Sequence, residues 1–333
     1  MVEETRRERM SEVAPFAVML IMEGCTIALT ILAKTALTAG ISPFVFVVYT
    51  NAVGSILLLP FSFLYHRGER IEQSLFTFPL LFRIFFMGLT GVAISQNLAF
   101  LGLSYSSPIV VCAMGLLMPT ISFLLSIILR TARLDWRSTS SQAKMIGTFI
   151  SIADRWVLGG ILLAAATLSI SVWNIVQMGT VKQYPQVMKV ASSYSVVGTI
   201  QCLVFSLIME GDLDAWKLKR KRDLLLIIVT GVFGSIIRSN VHIACTRMKG
   251  PFYVPMFKPF GVVFATVLGT CFFTNSLHYG SVIGTIIVGT GYYAVMWGQI
   301  REEELRKERE VEKVGDISDL KAPLLQENED AQV

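Results

Sequence analysis

The sequence predicts an all-α polytopic membrane protein of two inverted five-helix repeats, about ten helices in all, of which the fifth is truncated. The first observation behind this fold class is composition. Of the 333 residues, 53% are hydrophobic and 16% are charged, and the mean hydropathy is +0.60. A soluble domain would aggregate at this apolar content.

The second observation is a series of nine apolar stretches, each long enough to span a bilayer, which takes roughly 20 residues. They cover residues 14–35, 43–65, 80–104, 108–130, 156–179, 187–209, 223–247, 251–274 and 279–299. A tenth candidate, Met145 to Ala153, is cut off by Asp154 and Arg155. As a helix it would reach about 13 Å across a hydrocarbon core of about 30 Å. We therefore expect a half-helix that turns inside the membrane.

The third observation is an internal duplication. Asn97 precedes Pro108 by the same distance that separates Asn240 from Pro251, and each block closes one apolar run and opens another. Pro119 and Pro259 likewise each lead an apolar run. Weak symmetry between two hydrophobic halves is typical of transporters built from repeats, whose substrate site lies near the bilayer midplane. We expect the paired prolines to act as matched hinges or as simple kinks.

Two consecutive units of five crossings must sit in the membrane with opposite orientation, because five is odd. Inverted halves can exchange conformations and so open a central site to each side in turn. We place the first repeat at 14–155 and the second at 156–299. The tail 1–13 is expected to be cytoplasmic, and the charged tail 300–333 to be cytoplasmic and largely disordered.

Lys and Arg residues cluster in the links between spans, for example at Arg67 and Arg70, which places the N-terminus in the cytoplasm. Ten crossings also place the basic C-terminal tail there, whereas nine would place it outside. The cluster from Lys217 to Arg222 faces outward if there are ten crossings. Charges distributed in this way report membrane topology and do not indicate a nucleic-acid partner.

Polar side chains inside the spans are the candidate substrate-binding residues, because burying them in lipid is unfavourable without a function. They are Glu23, Gln96, Asn97, Gln201, Arg238 and Lys258. Glu23 with either Arg238 or Lys258 is expected to form a compensated pair beside a cavity able to hold a zwitterion. The alternative for each is a bond between helices or a side chain that reaches the headgroups.

Catalytic patterns are absent from the sequence, which contains no His-Glu-x-x-His motif, no phosphate-binding glycine loop and no Gly-x-Ser-x-Gly elbow. We predict that the protein is not an enzyme and needs neither cofactor nor metal. All five cysteines fall in apolar runs and are expected to be core residues. Trp173, Tyr184, Tyr292 and Trp297 are expected to form interfacial belts.

Several short motifs together resemble the plant EamA-like transporters called walls-are-thin-related, nodulin-like or UMAMIT proteins, within the drug/metabolite transporter superfamily. The motifs are Lys34-Thr35-Ala36-Leu37, Gln96-Asn97-Leu98, Tyr105-Ser106-Ser107-Pro108, Lys249-Gly250-Pro251 and Phe257-Lys258-Pro259. The resemblance implies a ten-helix inverted-repeat fold and facilitated or proton-linked movement of amino acids, with auxin-like metabolites as a related possibility. It also implies the plasma membrane, with the vacuolar membrane as the alternative.

The chain departs from the family pattern at two places that bear on function. Asn275 stands where relatives often carry an acidic residue, which weakens proton coupling and leaves Glu23 as the main intramembrane carboxylate. After Ile152, where the family completes its fifth helix, the chain runs almost directly to Trp156.

We therefore predict a transporter of amino acids or related small polar metabolites that works by alternating access. The alternative is a transport-impaired membrane protein with a regulatory or partner-binding role. The expected partners are a small-molecule substrate and the lipid bilayer, with protons as a candidate coupling ion; the oligomeric state stays open.

Overall fold

The computed structural model describes residues 2–65, 78–118, 121, 125, 154–184, 187–218, 220–249, 253–272, 289–293, 297 and 301. Regular structure in these residues is entirely helical. Three predictions fall outside them: the half-helix at 145–153, the acidic position now held by Asn275, and most of the tail 300–333. The predicted spans 108–130 and 279–299 are described only in part.

Ten α-helices have defined bounds. They are α1 Val2–Thr38, α2 Pro43–Tyr65, α3 Phe78–Gly88, α4 Ser95–Tyr105, α5 Pro108–Leu116, α6 Asp154–Gln183, α7 Val187–Met209, α8 Lys221–Val232, α9 Ser239–Lys249 and α10 Lys258–Phe272. Two short 3-10 helices, Leu213–Trp216 and Pro255–Phe257, precede α8 and α10. Two π-helical turns join helices end to end: Leu89–Ile94 connects α3 to α4, and Phe233–Arg238 connects α8 to α9.

Seven stretches of the described chain are long and apolar enough to cross a membrane, which matches seven of the nine predicted spans. They are Ala14–Thr38, Pro43–Pro60, Phe78–Tyr105, Leu158–Thr180, Met188–Met209, Lys221–Thr246 and Pro255–Phe272. Large apolar side chains such as Ile21 and Ile56 are exposed on the outside of the bundle, as a lipid-facing surface requires. The all-α polytopic fold class is confirmed at this level.

The turn between α1 and α2 depends on Gly40, whose φ of +105° is disfavoured for residues with a side chain. The amide of Ile41 donates to the carbonyl of Ala36 and closes the end of α1. Near this end, the Lys34 ammonium donates to the carbonyls of Leu103 and Ser104, each at 2.9 Å. A cation at these carbonyls satisfies the C-terminal end of α4 and ties it to α1.

The helices α2 and α7 cross at the centre of the bundle and run antiparallel. Phe44 contacts Phe205 with ring centroids 6.2 Å apart, whereas Ser55, farther along α2, bonds Ser195 and Thr199 near the start of α7. Each central helix also packs in parallel against another helix. The chain α8–α9 lies beside α2, and α3–α4 lies beside α7.

Two outer helices pack in parallel with their neighbours. Phe16 of α1 contacts Phe257 with ring centroids 5.3 Å apart, and Gly24 lies against Phe264 of α10. In the same way α5 runs parallel to α6. Ser106, just before α5, touches Gly159 near the start of α6, and Met118 Sδ, just after α5, lies 3.2 Å from the Asn174 amide nitrogen farther along α6. Ten crossings make α5 and α6 parallel, whereas nine would make them antiparallel.

Candidate functional site

A cavity of about 470 Å³ lies inside the bundle between the central helices. Its polar and aromatic lining comes from both halves of the chain: Thr26, Thr30, Thr50, Asn51, Ser95, Gln96, Phe100, Trp173, Tyr194, Ser195, Thr230, Phe233, Ser235, Arg238 and Ser239. Glycines 54, 91, 231 and 234 complete much of the wall. The size is that of a small-molecule site.

Gln96 is held in this cavity by Asn51. The Asn51 amide nitrogen donates to Gln96 Oε1 at 2.7 Å and to the Val47 carbonyl at 2.8 Å. These bonds join α2 to α4 and fix the orientation of both amides. Asn51 was not among the predicted site residues, because nothing in its sequence context distinguishes it from a polar residue that links two helices.

Arg238 is the one charged residue among the described residues that line the cavity. It ends the π turn Phe233–Arg238, which places it between α8 and α9. A guanidinium has donors and no acceptors, and its planar fork matches a carboxylate. The lining therefore favours a ligand with an anionic or acceptor-rich group.

Trp173 forms another part of the cavity wall. Its ring lies edge-on to Tyr194, with centroids 6.0 Å apart, and packs directly on Gly91. A Cβ at Gly91 would be 2.3 Å from Trp173 Cδ1, so only glycine fits there. The prediction of an interfacial belt is wrong for Trp173. It is also wrong for Tyr292, which is 4% exposed and donates to the Pro255 carbonyl.

Glu23 is buried at 4% exposure and forms an ion pair with Lys258, whose Nζ is 3.4 Å from Glu23 Oε1. Gly261 makes room for the carboxylate, since a Cβ there would lie 2.9 Å from the same oxygen. We considered Arg238 and Lys258 as partners of Glu23, and Lys258 is the one that forms the ion pair in the described residues. Neither Glu23 nor Lys258 is among the described residues that line the cavity. The pair lies between α1 and α10.

Asn97 and Gln201 connect helices rather than lining the cavity in the described residues. Asn97 is 1% exposed, and its amide nitrogen donates to the Ala93 carbonyl at 2.7 Å and contacts Cys202 Sγ at 3.1 Å. Gln201 Nε2 donates to the Phe85 carbonyl at 3.2 Å. Of the six predicted site residues, the structure brings Gln96 and Arg238 together in the cavity.

Each of the two π turns at the cavity contains a glycine and is followed by an asparagine. Gly91 and Gly234 are separated by the same number of residues as Asn97 and Asn240, although the second turn begins and ends one residue later relative to this spacing. In the sequence, the repeated asparagines indicated an internal duplication. The π turns themselves were not predicted. Of the prolines predicted as matched hinges, Pro108 begins α5 and Pro259 lies in the first turn of α10, while Pro119 and Pro251 lie outside the described residues.

Comparison with known proteins gives a consistent result. Residues 15–153 match the EamA-like transporter family. WAT1-related protein At1g70260 of Arabidopsis thaliana is 55% identical, over 98% of this chain and 99% of its own length. WAT1-related protein At1g60050, from the same plant, is 53% identical over 89% and 90%, respectively.

One solved structure, described only as "Crystal structure of protein", has the same fold, with a TM-score of 0.54 and 16% identity over 86% of this chain and 96% of its own. The alignment with At1g70260 runs over 370 positions, more than the 333 residues of this chain. That relative therefore contains positions at which this chain has no residue. With these identities and coverages, the chain is an integral membrane protein that belongs to the WAT1-related family of EamA-like transporters.

Proposed function

We propose that this protein transports amino acids or related small polar metabolites by alternating access between two inverted five-helix repeats. The observation that carries the proposal is the cavity of about 470 Å³, to which both halves of the chain contribute polar side chains. A site between two repeats is where a transporter of this architecture binds its substrate.

Corresponding contacts in the two halves support the inverted arrangement. Gly88 packs on Gly198, and Gly231 packs on the Thr50 carbonyl of the other central helix. The helices α2 and α7 occupy corresponding places and run antiparallel, as inversion requires. The parallel pair α1 and α10 corresponds to the pair α6 and α5.

The cavity lining supports a substrate with a carboxylate. We assign the carboxylate to Arg238, where the bond is charge-assisted and can be bidentate. The Asn51–Gln96 pair and the nearby threonines supply acceptors and donors for the remaining polar groups of an amino acid. Trp173 and Tyr194 supply an apolar wall for its side chain. In this assignment Glu23 and Lys258 neutralise each other's charge beside the cavity. Their ion pair influences the bound substrate without contacting it.

We place the protein in the plasma membrane with both tails in the cytoplasm, and keep the vacuolar membrane as the alternative. In that orientation the end of α1 and the start of α8 face away from the cytoplasm. They lie at the same end of the bundle, because Ser42 bonds Glu210 and Tyr49 bonds the Trp216 carbonyl.

Counterflow in proteoliposomes tests the proposed function. Vesicles loaded with unlabelled glutamine should take up labelled glutamine in a saturable, protein-dependent way. Competition by glutamate, lysine and the auxin indole-3-acetate ranks anionic, cationic and aromatic ligands. Arg238→Gln should lower uptake by roughly a hundredfold at equal protein amount, whereas Arg83→Gln, a change of another arginine within a span but outside the described cavity lining, should not.

The runner-up is a transport-impaired protein with a regulatory or partner-binding role. It is favoured by the 370-position alignment, since a family member that lacks residues of its relatives can lose a moving part. A folded protein that moves none of the probes in counterflow, and for which Arg238→Gln makes no difference, would favour this second function.

A further inference from the structure

We propose that Asn97 and Asn240 are matched positioning residues. Each holds the π turn that precedes it, and so sets the helix rotation that presents Gln96 and Arg238 to the cavity. The inference rests on the proposed function for its importance to transport, but the geometry that it concerns is independent of which substrate is moved.

A π turn changes the register of a helix. Its hydrogen bonds span one residue more than those of an α-helix, and such turns are frequent at functional sites. One extra residue rotates everything beyond it by about 100°, because an α-helix has 3.6 residues per turn. Whether the turn is π or α therefore decides which side chains after it face the cavity.

In both turns, side chains that follow the turn bond carbonyls inside it. Asn97 donates to the Ala93 carbonyl at 2.7 Å, and Asn240 donates to the Ile236 carbonyl at 2.8 Å. The glycine carbonyls also receive hydroxyl donors, from Ser95 to Gly91 and from Ser239 to Gly234, at 2.7 and 3.1 Å. Backbone amides close the turns alike, since those of Ser95 and Ser239 donate three residues back.

The residues assigned to the substrate lie directly at these turns. Gln96 is the neighbour of Asn97, and Arg238 is the last residue of the second π turn. A shift from π to α register would rotate each relative to the helix before it. Each asparagine bonds a carbonyl inside its turn, and a change of register would move that carbonyl relative to the side chain. Losing the bond should therefore make the shift easier.

Asn97 makes further contacts, whereas the turn before Asn240 is packed less tightly by the described residues. Asn97 also contacts Cys202 Sγ, and it accepts a bond from Ser206 of α7 at 3.5 Å. The first turn is packed against Trp173 through Gly91, whereas a Cβ at Gly234 would have no described atom within 4 Å. Asn240 is therefore the residue whose removal should move its turn most.

Thiol labelling in the cavity tests this without any transport measurement. Thr30 lines the cavity from α1 and belongs to neither turn. A Thr30→Cys reporter, in a chain with Cys25, Cys112 and Cys271 changed to serine, is labelled in detergent with anionic and with cationic methanethiosulfonates. With Arg238 facing the cavity, the anionic reagent is favoured, and Arg238→Gln should lower the anionic-to-cationic rate ratio by about tenfold.

Asn240→Leu should lower this ratio at least threefold, and Asn97→Leu should lower it less. Asn240→Thr should restore it, because a threonine hydroxyl can also donate four residues back, as Thr26 does to Met22. Thr266→Val is the matched control. It removes such a bond from α10, which has no π turn, and should leave the ratio unchanged in the folded fraction isolated by size exclusion.

An unchanged ratio in folded Asn240→Leu protein would overturn the positioning role, and so would an equal fall in Thr266→Val. Because the reagents need no carrier cycle, the labelling result stands even if counterflow detects no transport. The failure of the proposed function is thus distinguishable from the failure of this inference.

Discussion

The membrane helices Phe78–Tyr105 and Lys221–Thr246 have the same design and different surroundings. Each is interrupted by a π turn with a glycine inside it and an asparagine after it. In the first, Trp173 covers the glycine; in the second, a Cβ at Gly234 would have no described atom within 4 Å. The second turn ends in Arg238, where the first helix has the buried Ser95 at the corresponding position.

The difference shows that a π turn can serve helix packing in one helix and, as we propose, substrate binding in another. The tightly packed turn holds α4 against α6, and the open turn leaves the space in which a ligand is expected. The two π turns are alike in backbone, while the side chains around each turn differ.

The largest expected effect comes from Arg238, the charge that ends the second π turn and has no counterpart in the first. Arg238→Gln should lower flux by roughly a hundredfold, because it removes a charge-assisted bond to the substrate. Arg238→Lys keeps the charge but loses the planar fork, and should retain more flux than the glutamine variant. Initial rates of counterflow at equal protein amount measure both. Wild-type rates in both variants would show that charge and geometry at Arg238 do not matter to transport.

A second comparison concerns the corresponding glycines of the two turns. Gly91→Ala forces a methyl group against Trp173 and should destabilise the protein by about 2 kcal/mol or more. Gly234→Ala meets no neighbour and should change stability by no more than about 1 kcal/mol, in the stabilising direction if helix propensity dominates. Thermal unfolding in one detergent measures both. If the two alanine variants unfold at the same temperature, the asymmetry between the turns is contradicted.

Gly88 and Gly231 also occupy corresponding positions, and alanine substitutions at the two should have similar effects on stability. A Cβ at Gly88 would be 2.8 Å from the Gly198 amide nitrogen, and one at Gly231 would be 2.9 Å from the Thr50 carbonyl oxygen. Both alanine variants should be destabilised, by about 1–3 kcal/mol each. The same unfolding experiment compares them, with Gly160→Ala as the control, because Gly160 has no described atom near its Cβ position. A difference of more than about 2 kcal/mol between the two would argue against equivalent packing of the halves.

The smallest effect concerns the pair beside the cavity. Glu23 is the buried carboxylate of the described residues, and its ion pair with Lys258 compensates both charges. Glu23→Gln leaves the Lys258 charge without this partner and should lower flux a fewfold, less than Arg238→Gln does, because the pair lies outside the described cavity lining. Counterflow at equal protein amount compares the two variants. A larger loss in Glu23→Gln than in Arg238→Gln would place the substrate site at the ion pair.

Hydropathy alone predicted an all-α polytopic membrane protein and the positions of the seven described spans, because crossing a membrane is a matter of length and apolarity. It could not predict the π turns, since one additional residue in a helical turn leaves hydropathy unchanged. The repeated asparagines marked the right place without revealing its geometry.

The site was predictable only in part. Polarity within a span identified Gln96 and Arg238, but it also selected Asn97 and Gln201, which link helices in the structure. Which polar side chains meet depends on helix rotation, and that depends on the unpredicted π turns. Trp173 was wrongly assigned to the membrane interface, because its position in the sequence does not reveal that its ring packs on Gly91.

The central claim is that the cavity beside the second π turn binds the substrate. A cryo-electron microscopy map of the protein with an antibody fragment, prepared with the amino acid that gives the fastest counterflow, tests it most directly. We predict ligand density between Arg238 and Gln96, with Trp173 still packed on Gly91. Ligand density at Glu23 and Lys258, with the cavity empty, would contradict the claim.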